Sequence, residues 1–532
     1  MSFTAKYIPY KQTGAFSKIV TDYLDGSPKL RPFYFATPDA DGIKKAIEQR
    51  KQYPINRQLL VSELAKEYAS VETKKPVEQN IDLLLQENTF TVCTAHQPNI
   101  FTGHLYFVYK ILHAVKLASA LKNEFPGYNF VPVYYMGSED ADLDELGEIV
   151  EDGKKYTWNT KQTGAVGRMK IDKPFLQLIA ELNGRLLVEN HGKEIMALVE
   201  ACYTEGKTIS QSTFEFVHAL FGEYGLIVLQ PDNAALKKVF IPIVKKELEE
   251  QFSNKAVSQT LETFPAEYKV QVAGREINLF YLEADTRERI ELTESGYKVN
   301  NTKNSFTGQE FFGILETHPE RFSANVILRP VFQEMILPNV AFIGGGGELA
   351  YWLELKQVFD AVAVPYPVLI LRNSFTVVRR QYAAKIRSLG MEPVNFFEPE
   401  MKLVEQLVKR ESSLQLNLEA EKKSLETIYQ QMRSAASAID PTLGNHTEAL
   451  MTKALKRIEQ LEKKMLRAEK KKFEAQQRQL QAIKASFFPS GTLQERIDNL
   501  LPYYATWGSN FIEAIYDAST AMEQEFCFVE ER

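Results

Sequence analysis

Two of the seven histidines in the sequence, His96 and His104, lie in one short polar loop. The loop follows a β-rich run at residues 89–94 and precedes an amphipathic helical pattern that continues to Leu121. At such a junction, the unpaired N–H groups and the positive end of the helix dipole favour an anionic ligand. The sequence therefore predicts a ligand site at this loop, with candidate residues His96, Gln97, Thr102, Gly103 and His104.

A second group of candidate residues is acidic and follows the next strand-like run, at residues 130–136. Five carboxylates occur within the seven residues that start at Glu139. Consecutive parallel strands end at the same edge of a sheet, so Glu139 and Asp140 are predicted to face the same ligand as the histidines. For Asp144 and Glu145, the alternative is that they only favour the first turn of the next helix.

Four consecutive glycines form the third feature of interest: Gly344, Gly345, Gly346 and Gly347. They separate a strand pattern from a helix pattern, where a turn needs only one or two glycines. Each glycine drawn into a regular element costs roughly 0.5 to 1 kcal/mol, so the surplus indicates close approach of a ligand or of another backbone. The alternative is merely a tight turn. The phosphate-binding pattern Gly-x-x-x-x-Gly-Lys-Ser is absent from the sequence.

An α/β fold is needed to bring these distant residues together. Strand-like runs precede His96, Glu139, Asp232, the glycines and Arg372, and helical patterns lie between several of them. This alternation predicts parallel strands joined by helices, in a domain of nucleotide-binding type. We predict a core at residues 1–390 that carries insertions at about residues 151–222 and 262–310.

Residues 398–488 differ in kind from this core. Apolar residues recur at spacings of three and four, or their multiples, from Val404 through Leu414 to Ile439, and again from Met451 to Ala468. The pattern predicts an antiparallel coiled-coil hairpin, with arms of about 40 residues and roughly 60 Å each. An isolated pair buries little surface, so we expect a partner subunit or the main body to cover part of it. The apolar segment 489–532 is predicted to pack back on the core.

Composition excludes several classes of partner. The net charge is -6 and the pI is about 5.9, so there is no global basic face for a nucleic acid or an anionic membrane. The three cysteines, Cys93, Cys202 and Cys527, are far apart and fit a reducing compartment. The start of the chain lacks a signal-peptide pattern, and no run of about 18 apolar residues occurs. We expect a cytoplasmic protein with no membrane span.

Several of these segments together resemble the cysteine-adding enzyme family of bacillithiol biosynthesis, a family of cysteine ligases. The matching segments are residues 97–110, 137–142, 328–333, 347–352, the coiled-coil insertion and 493–496. The resemblance implies a Rossmann-like core of nucleotidylyl-transferase type with connecting insertions, and an inserted antiparallel α-helical coiled coil used in forming a homodimer. Two positions depart from the family, which often has Pro where His104 stands and His where Ala141 stands.

The resemblance implies a reaction between two small molecules. The carboxyl group of cysteine would form an amide with the amine of glucosaminyl malate, which is the last step of bacillithiol biosynthesis. A free carboxylate is a poor electrophile, so the step needs activation, most simply as an acyl-adenylate formed from ATP with Mg²⁺. We therefore expect ATP and Mg²⁺ to take part, without a dedicated metal site in the protein.

The resemblance also suggests roles for individual residues. His96 and His104 would stabilise charge that develops on phosphate, while the four glycines lie along the nucleotide or the substrate. The carboxylates of Glu139, Asp140 and Asp142 would hold an ammonium group or sugar hydroxyls. Arg329 or Arg372 would pair with the malate carboxylates. The further binding candidates are Gln97, Thr102, Gly103, Glu348 and Tyr351.

Two other functions remain open from the sequence. A nucleotidylyl transferase acting on a pantetheine-like substrate would release pyrophosphate without consuming cysteine. A non-catalytic scaffold would use the coiled coil to recruit a partner, and replacement of His96 or Glu139 would then leave partner binding intact.

Overall fold

The computed structural model describes residues 2–151, 153–272, 274–412 and 417–532. Its internal contacts divide the chain into two compact units. The first unit consists of Met1–Val377 and Thr492–Arg532, and the second is Val378–Gly491. The first unit therefore ends 13 residues before the predicted core boundary at residue 390 (390 − 377) and takes up the chain again near its carboxyl end.

The described residues contain fifteen strands. In chain order these are β1 Phe3–Pro9, β2 Thr89–His96, β3 Asn129–Met136, β4 Glu148–Glu151, β5 Lys154–Thr157, β6 Ile227–Leu229, β7 Leu279–Leu282, β8 Arg287–Thr293, β9 Gly296–Val299, β10 Ser305–Phe306, β11 Phe322–Ala324, β12 Asn339–Gly344, β13 Val368–Leu371, β14 Ser374–Val378 and β15 Glu525–Glu531.

The same residues contain twenty-three α-helices, none of them long and apolar enough to cross a membrane. In chain order these are α1 Tyr10–Thr13, α2 Lys18–Leu24, α3 Ala40–Lys51, α4 Arg57–Tyr68, α5 Lys75–Leu83, α6 Leu105–Glu124, α7 Leu143–Leu146, α8 Lys173–Leu186, α9 Gly192–Cys202, α10 Ile209–Phe221, α11 Ala234–Glu250, α12 Phe252–Thr263, α13 Gly308–Thr317, α14 Arg329–Ile336, α15 Gly346–Leu353, α16 Lys356–Asp360, α17 Arg380–Ser388, α18 Glu400–Glu411, α19 Glu419–Ile439, α20 Pro441–Lys470, α21 Glu474–Phe487, α22 Leu500–Trp507 and α23 Ser509–Ala518.

A five-stranded parallel sheet forms the centre of the first unit, with the order β13-β12-β2-β3-β6. In chain order, β3 and then β6 are added on one side of β2, and β12 and then β13 are added on the other side of β2. The order of the strands therefore reverses between β2 and β12. In open α/β sheets, such a reversal leaves a crevice at the carboxyl ends of the strands, where ligands bind.

The strands of this sheet are buried because helices cover it. All residues of β12 and β13 are buried, and in β2 only the last residue, His96, is not. Such near-continuous apolar runs are typical of parallel sheets covered on both faces. Val92 and Ile343 of the sheet belong to one hydrophobic core with Ile47 of α3 and Leu117 of α6. This packing fixes the strand ends that carry the candidate residues.

Two groups of elements interrupt the parallel sheet along the chain. The first, between β3 and β6, holds the hairpin β4-β5 and the helices α8, α9 and α10. The second contains a five-stranded antiparallel sheet with the order β10-β9-β8-β7-β11. This sheet continues to Ala324, whereas the sequence placed the end of the insertion near residue 310, because the short last strand β11 is separated from β10 by helix α13.

The carboxyl-terminal segment belongs to the first unit. Its strand β15 pairs antiparallel with β1, from Phe3 opposite Glu531 to Pro9 opposite Glu525, and lies between β1 and β14 in a three-stranded sheet. The Nε2 atom of His113 on α6 lies 2.7 Å from the carbonyl oxygen of Ala521. These contacts tie the last forty residues to the helix that follows β2.

The second unit contains the antiparallel helix pair α19 and α20. Asp440 lies between the two helices and accepts a hydrogen bond from the N–H of Thr442 at 2.7 Å. The ion pairs Lys422–Glu462 and Arg433–Glu448 connect the two helices with the register of a hairpin. Each predicted arm is divided into two helices, α18 with α19 and α20 with α21, and Leu414 lies outside the described residues.

Candidate active site at the carboxyl edge of the parallel sheet

Residues at or just after the carboxyl ends of all five parallel strands line one cavity of about 340 Å³. The contributions are His96 and Gln97 after β2, Ser138, Glu139 and Asp140 after β3, Pro231 after β6, Gly345, Gly346, Gly347 and Glu348 after β12, and Arg372 after β13. The cavity lies where the order of the strands reverses, which is the expected position for a ligand in this type of sheet.

His96 presents a polar atom to this cavity that lacks a partner within the described residues. Its Nε2 atom is buried and makes no hydrogen bond, and its ring lies 5.4 Å from that of Tyr106. Burial, followed by the charge of Lys110, holds the pKa of His96 well below its usual range. The imidazole is therefore neutral at pH 7 and can donate or accept a hydrogen bond, but it does not supply a positive charge.

The segment after β3 combines hydrogen bonds with an ion-pair network. Asp140 accepts a hydrogen bond from Gln97 Nε2 at 3.1 Å and another from the N–H of Ala141 at 2.7 Å. Glu139 forms an ion pair with Lys237, which also contacts Asp232 at 3.2 Å. Burial raises the pKa of Glu139.

Asp232 is the opposite case in the same network. Burial alone would raise its pKa, but Lys237 and Arg168 outweigh that effect and lower the pKa to about 2. Arg168 binds both carboxylate oxygens of Asp232, at 2.7 and 2.8 Å. The pKa of Glu139 is therefore raised and that of Asp232 is lowered, although both carboxylates are buried beside Lys237.

The glycine run leads directly into helix α15. Glu348 Oε2 accepts hydrogen bonds from the N–H of Gly345 at 2.8 Å and from Lys110 Nζ at 2.6 Å. The N–H groups of Gly346 and Gly347 precede the first intrahelical hydrogen bond, so they remain available to an anion. A Cβ atom on Gly347 would meet nothing within 4 Å, which leaves room for a ligand.

The two predicted arginines of the cavity wall have different partners. Arg329 donates to Gln333 Oε1 and to the hydroxyl of Tyr351, both at 3.1 Å, so its partners are neutral. Arg372 instead binds both carboxylate oxygens of Glu495, at 3.0 and 2.7 Å, in a buried pair. The charge of Arg372 is therefore already neutralised within the protein.

Two family models together match almost the whole chain. The family model described as "Bacillithiol biosynthesis BshC, N-terminal Rossmann-like domain" matches residues 3–373, and "Bacillithiol biosynthesis BshC, C-terminal coiled-coil domain" matches residues 375–531. The chain belongs to the BshC family. The predicted family and the predicted fold class, a Rossmann-like core with an inserted coiled coil, are thereby confirmed.

Relatives in the BshC family match almost the full chain. One from Flavobacterium johnsoniae is 38% identical over 523 residues, covering 98% of each chain. One from Cytophaga hutchinsonii is 36% identical over 518 residues, covering 97% of each. One from Bacillus cereus is 27% identical over 515 residues, covering 94% of this chain and 95% of the relative. All three carry the name "Putative cysteine ligase BshC".

Five predicted site residues of this BshC chain do not line the cavity: His104, Thr102, Gly103, Asp142 and Gly344. His104 precedes α6, and its Nδ1 lies 3.2 Å from the carbonyl oxygen of Ile497. Asn499 Nδ2 donates to the carbonyl oxygen of Gly103 at 2.5 Å. The carboxyl-terminal segment thus holds this end of the loop away from the cavity.

Asp142 and Gly344, the other two residues outside the cavity lining, instead stabilise the local structure. Asp142 accepts a hydrogen bond from the N–H of Glu145 at 3.2 Å and thereby caps α7. At Gly344, a Cβ atom would lie 3.0 Å from both Glu348 and Phe342, so a tight packing contact accounts for this glycine. The remaining predicted residues, His96, Gln97, Glu139, Asp140, Arg329, Gly345, Gly346, Gly347, Glu348, Tyr351 and Arg372, all line the cavity.

Several charged residues of the site were missed by the sequence reasoning. Lys110 is buried and donates to the carbonyl oxygen of Ala95 as well as to Glu348. A lysine within an otherwise apolar stretch of helix was the signal that could have identified it. Arg287 also lines the cavity, but it stands in a strand with several other charged residues, so its type and spacing gave no such signal.

Proposed function

We propose that this chain is a cysteine ligase, which joins the carboxyl group of cysteine to the amine of glucosaminyl malate in the last step of bacillithiol biosynthesis. The observation that carries the proposal is the match over 98% of the chain to two relatives that carry the name "Putative cysteine ligase BshC". The cavity at the carboxyl edge of the sheet supports it, because hydrogen-bond donors suited to anions, carboxylates and guanidinium groups all line this one cavity.

The reaction requires activation of a carboxylate. Its resonance-stabilised negative charge resists attack by an amine, and ATP with Mg²⁺ would supply the activation by converting the carboxylate into an acyl-adenylate. The residues suited to phosphate are His96 and the N–H groups of Gly346 and Gly347. A neutral His96 would act there as a hydrogen-bond donor, which can stabilise developing negative charge without carrying a charge of its own.

The other residues of the cavity suit the two organic substrates. Glu139 and Asp140 would hold an ammonium group or sugar hydroxyls, since a carboxylate accepts hydrogen bonds from both. Arg329 would bind a malate carboxylate, because its partners within the protein are neutral. Arg372 is less suited to this role, since Glu495 occupies its terminal nitrogens.

The residues present fit a magnesium ion that arrives with a nucleotide. Within the described ranges, no group of three or more His, Cys, Asp or Glu side chains could hold a metal ion by itself. Mg²⁺ commonly binds one or two carboxylates together with phosphates and waters. Burial and the neighbouring Asp142 and Asp140 raise the pKa of Glu145, which lines the cavity. Because Glu145 lines the cavity together with Asp140, we propose Glu145 as the carboxylate that would hold Mg²⁺.

Purified protein is expected to form bacillithiol when it is supplied with cysteine, glucosaminyl malate, ATP and Mg²⁺. The thiol product is measured by mass spectrometry after labelling, and AMP and pyrophosphate are measured in the same reaction. Omission of cysteine is the matched control. Absence of product under every nucleotide and metal condition would contradict the proposal. Pyrophosphate release without consumption of cysteine would indicate a nucleotidylyl transferase instead.

We also propose that the chain forms a homodimer through its coiled coil. Apolar side chains on α19 and α20 remain exposed, including Ile428 at 52%, Met432 at 51% and Leu461 at 50%. A second copy would bury them, because an exposed apolar stripe on a helix pair favours association.

Sedimentation equilibrium should therefore give twice the chain mass of 60.7 kDa. Replacing Met432 and Leu461 by Glu is expected to reduce the mass to that of one chain. The Val188→Glu variant is the control, because Val188 is an exposed apolar residue of the first unit. A monomeric wild-type protein would contradict the proposal.

A further inference from the structure

Several charged groups in and around the cavity form ion pairs within the protein. The pairs are Lys237 with Glu139, Arg168 with Asp232, Lys110 with Glu348 and Arg372 with Glu495. Two guanidinium groups of the cavity wall, on Arg287 and Arg329, instead donate hydrogen bonds to neutral side chains within the described residues. A third, on Arg496, is exposed, so water can compensate its charge.

Arg287 extends from the antiparallel sheet into the cavity wall. It is the first residue of β8, its Nε donates to Ser323 Oγ at 3.3 Å, and its guanidinium lies 3.9 Å from the centre of the Phe280 ring. Burial lowers its pKa, and Asp140 and Glu139 act on its charge only at longer range. The partner that holds this guanidinium in position is thus neutral.

Arg329 is connected to Arg287 through a short piece of chain. Ser323, which binds Arg287, precedes Asn325, whose carbonyl oxygen accepts the N–H of Arg329 at 2.8 Å. The guanidinium of Arg329 lies 5.5 Å from the centre of the Tyr135 ring and bonds to neutral oxygens. The segment 323–329 therefore contacts one cavity-wall guanidinium and carries the other, and the side chains that bond them within the described residues are neutral.

Partly buried cations without an anionic partner carry a desolvation cost that an anionic ligand would offset. We propose that Arg287 and Arg329 together bind the two carboxylates of the acceptor's malate group, so that Arg287 determines specificity for a dicarboxylate. The inference rests on the proposed ligase function and extends it from the parallel sheet to the inserted antiparallel sheet. Two planar guanidinium groups suit two carboxylates because each can form paired N–H···O bonds.

The Arg287→Gln variant tests this assignment by steady-state kinetics. The KM for glucosaminyl malate is expected to rise about 10- to 100-fold, since a hydrogen bond to a charged group contributes roughly 1.5 to 3 kcal/mol. The kcat and the KM for cysteine should change little, because Arg287 acts on the acceptor only. Arg289→Gln is the matched control on the same strand, since Arg289 does not line the cavity. An equal rise in KM with Arg289→Gln would overturn the proposal.

A second measurement addresses the carboxylates directly. Wild-type protein should prefer glucosaminyl malate over its dimethyl ester, and Arg287→Gln should lose most of that preference. Retention of the full preference would overturn the assignment. If Arg287→Gln does not fold, Arg287→Lys, which keeps the charge but loses the planar fork, should lose part of the preference. An unchanged preference in a folded Arg287→Lys protein would then count against the proposal.

Calorimetric titration with glucosaminyl malate separates this inference from the proposed reaction. Suppose that no bacillithiol forms, but the wild-type protein binds the diacid and Arg287→Gln binds it at least 10-fold more weakly. This result would support the dicarboxylate subsite and contradict the ligase function. If bacillithiol forms and the wild-type and Arg287→Gln proteins bind the diacid equally, the result would contradict the subsite and support the ligase function.

Discussion

Replacing Arg50 by Met is expected to lower the free energy of unfolding of the first unit by about 3 to 5 kcal/mol. Arg50 on α3 forms a buried ion pair with Glu334 on α14, at 2.5 Å. It also donates to the carbonyl oxygens of Glu334 at 2.7 Å and of Asn339 at 2.9 Å. A third carbonyl oxygen, that of Pro365, accepts from Arg50 at 3.3 Å, so the variant would leave a buried carboxylate without its cation and three backbone carbonyls without this donor.

The loss of stability should depend on pH in a defined direction. Burial raises the pKa of Glu334 to about 7, even beside Arg50, from a usual value of 4.5. Between these values the folded state binds more protons than the unfolded state, so the contribution of this group falls as pH rises. Without Arg50, the pKa of Glu334 in the folded state rises further. The Arg50→Met variant should therefore be most destabilised above pH 7 and should partly recover near pH 5.

Urea denaturation followed by tryptophan fluorescence is a suitable measurement. The three tryptophans, Trp158, Trp352 and Trp507, are all buried and all lie in the first unit, so the signal reports on the unit that contains Arg50. Lys356→Met is the control, because its partner Asp360 is exposed and such helical pairs contribute about 0.3 to 0.5 kcal/mol. Equal losses in the two variants, or a loss that grows toward acid pH, would contradict the expectation.

The sequence predicted the parts of the fold that depend on local patterns. The strands around Val92 and Val133 are rich in β-branched and aromatic residues, and two runs of that kind separated by an amphipathic helix predict a β-α-β unit. The position of β12 beside β2 could not be predicted in this way. It depends on contacts such as that of Thr94 Oγ1 with the carbonyl oxygen of Ile343, which lies 249 residues away in the chain.

Local sequence patterns also predicted only part of the candidate site. Residues immediately after a strand, such as His96 and Glu139, line the cavity because the strand end fixes their position. His104 lies only eight residues beyond His96, but Thr102 has a φ of 70° and Asn499 binds the backbone beside it. The charge of Arg372 is neutralised by Glu495, 123 residues away. Contacts at this sequence distance leave no periodic signal, so only the folded structure could show which predicted residues share the cavity.

His96 and His104 were equivalent candidates from the sequence, but their replacements should have unequal effects. His96→Ala is expected to lower kcat for bacillithiol formation about 10²- to 10³-fold, the usual effect of removing one donor that stabilises charge in a transition state. Its Nε2 is buried at the cavity without a partner in the described protein. His104→Ala should change kcat by no more than a few-fold, because its ring faces the carbonyl oxygen of Ile497 outside the cavity wall.

The dependence of the rate on pH distinguishes a neutral donor from a cation. The pKa of His96 is held well below its usual value of 6.5, so its protonation state does not change between pH 6 and 8. His96→Ala should therefore lower the rate without changing the shape of the pH profile in this range, and His96→Asn should recover part of the rate because its amide can donate a hydrogen bond. Equal losses of kcat in His96→Ala and His104→Ala would contradict the unequal roles assigned to the two histidines. If the wild-type rate falls as pH rises through the range 6 to 8 and His96→Ala removes this alkaline limb, the histidine acts as a cation, for which its burial beside Lys110 would have to be relieved when substrate binds.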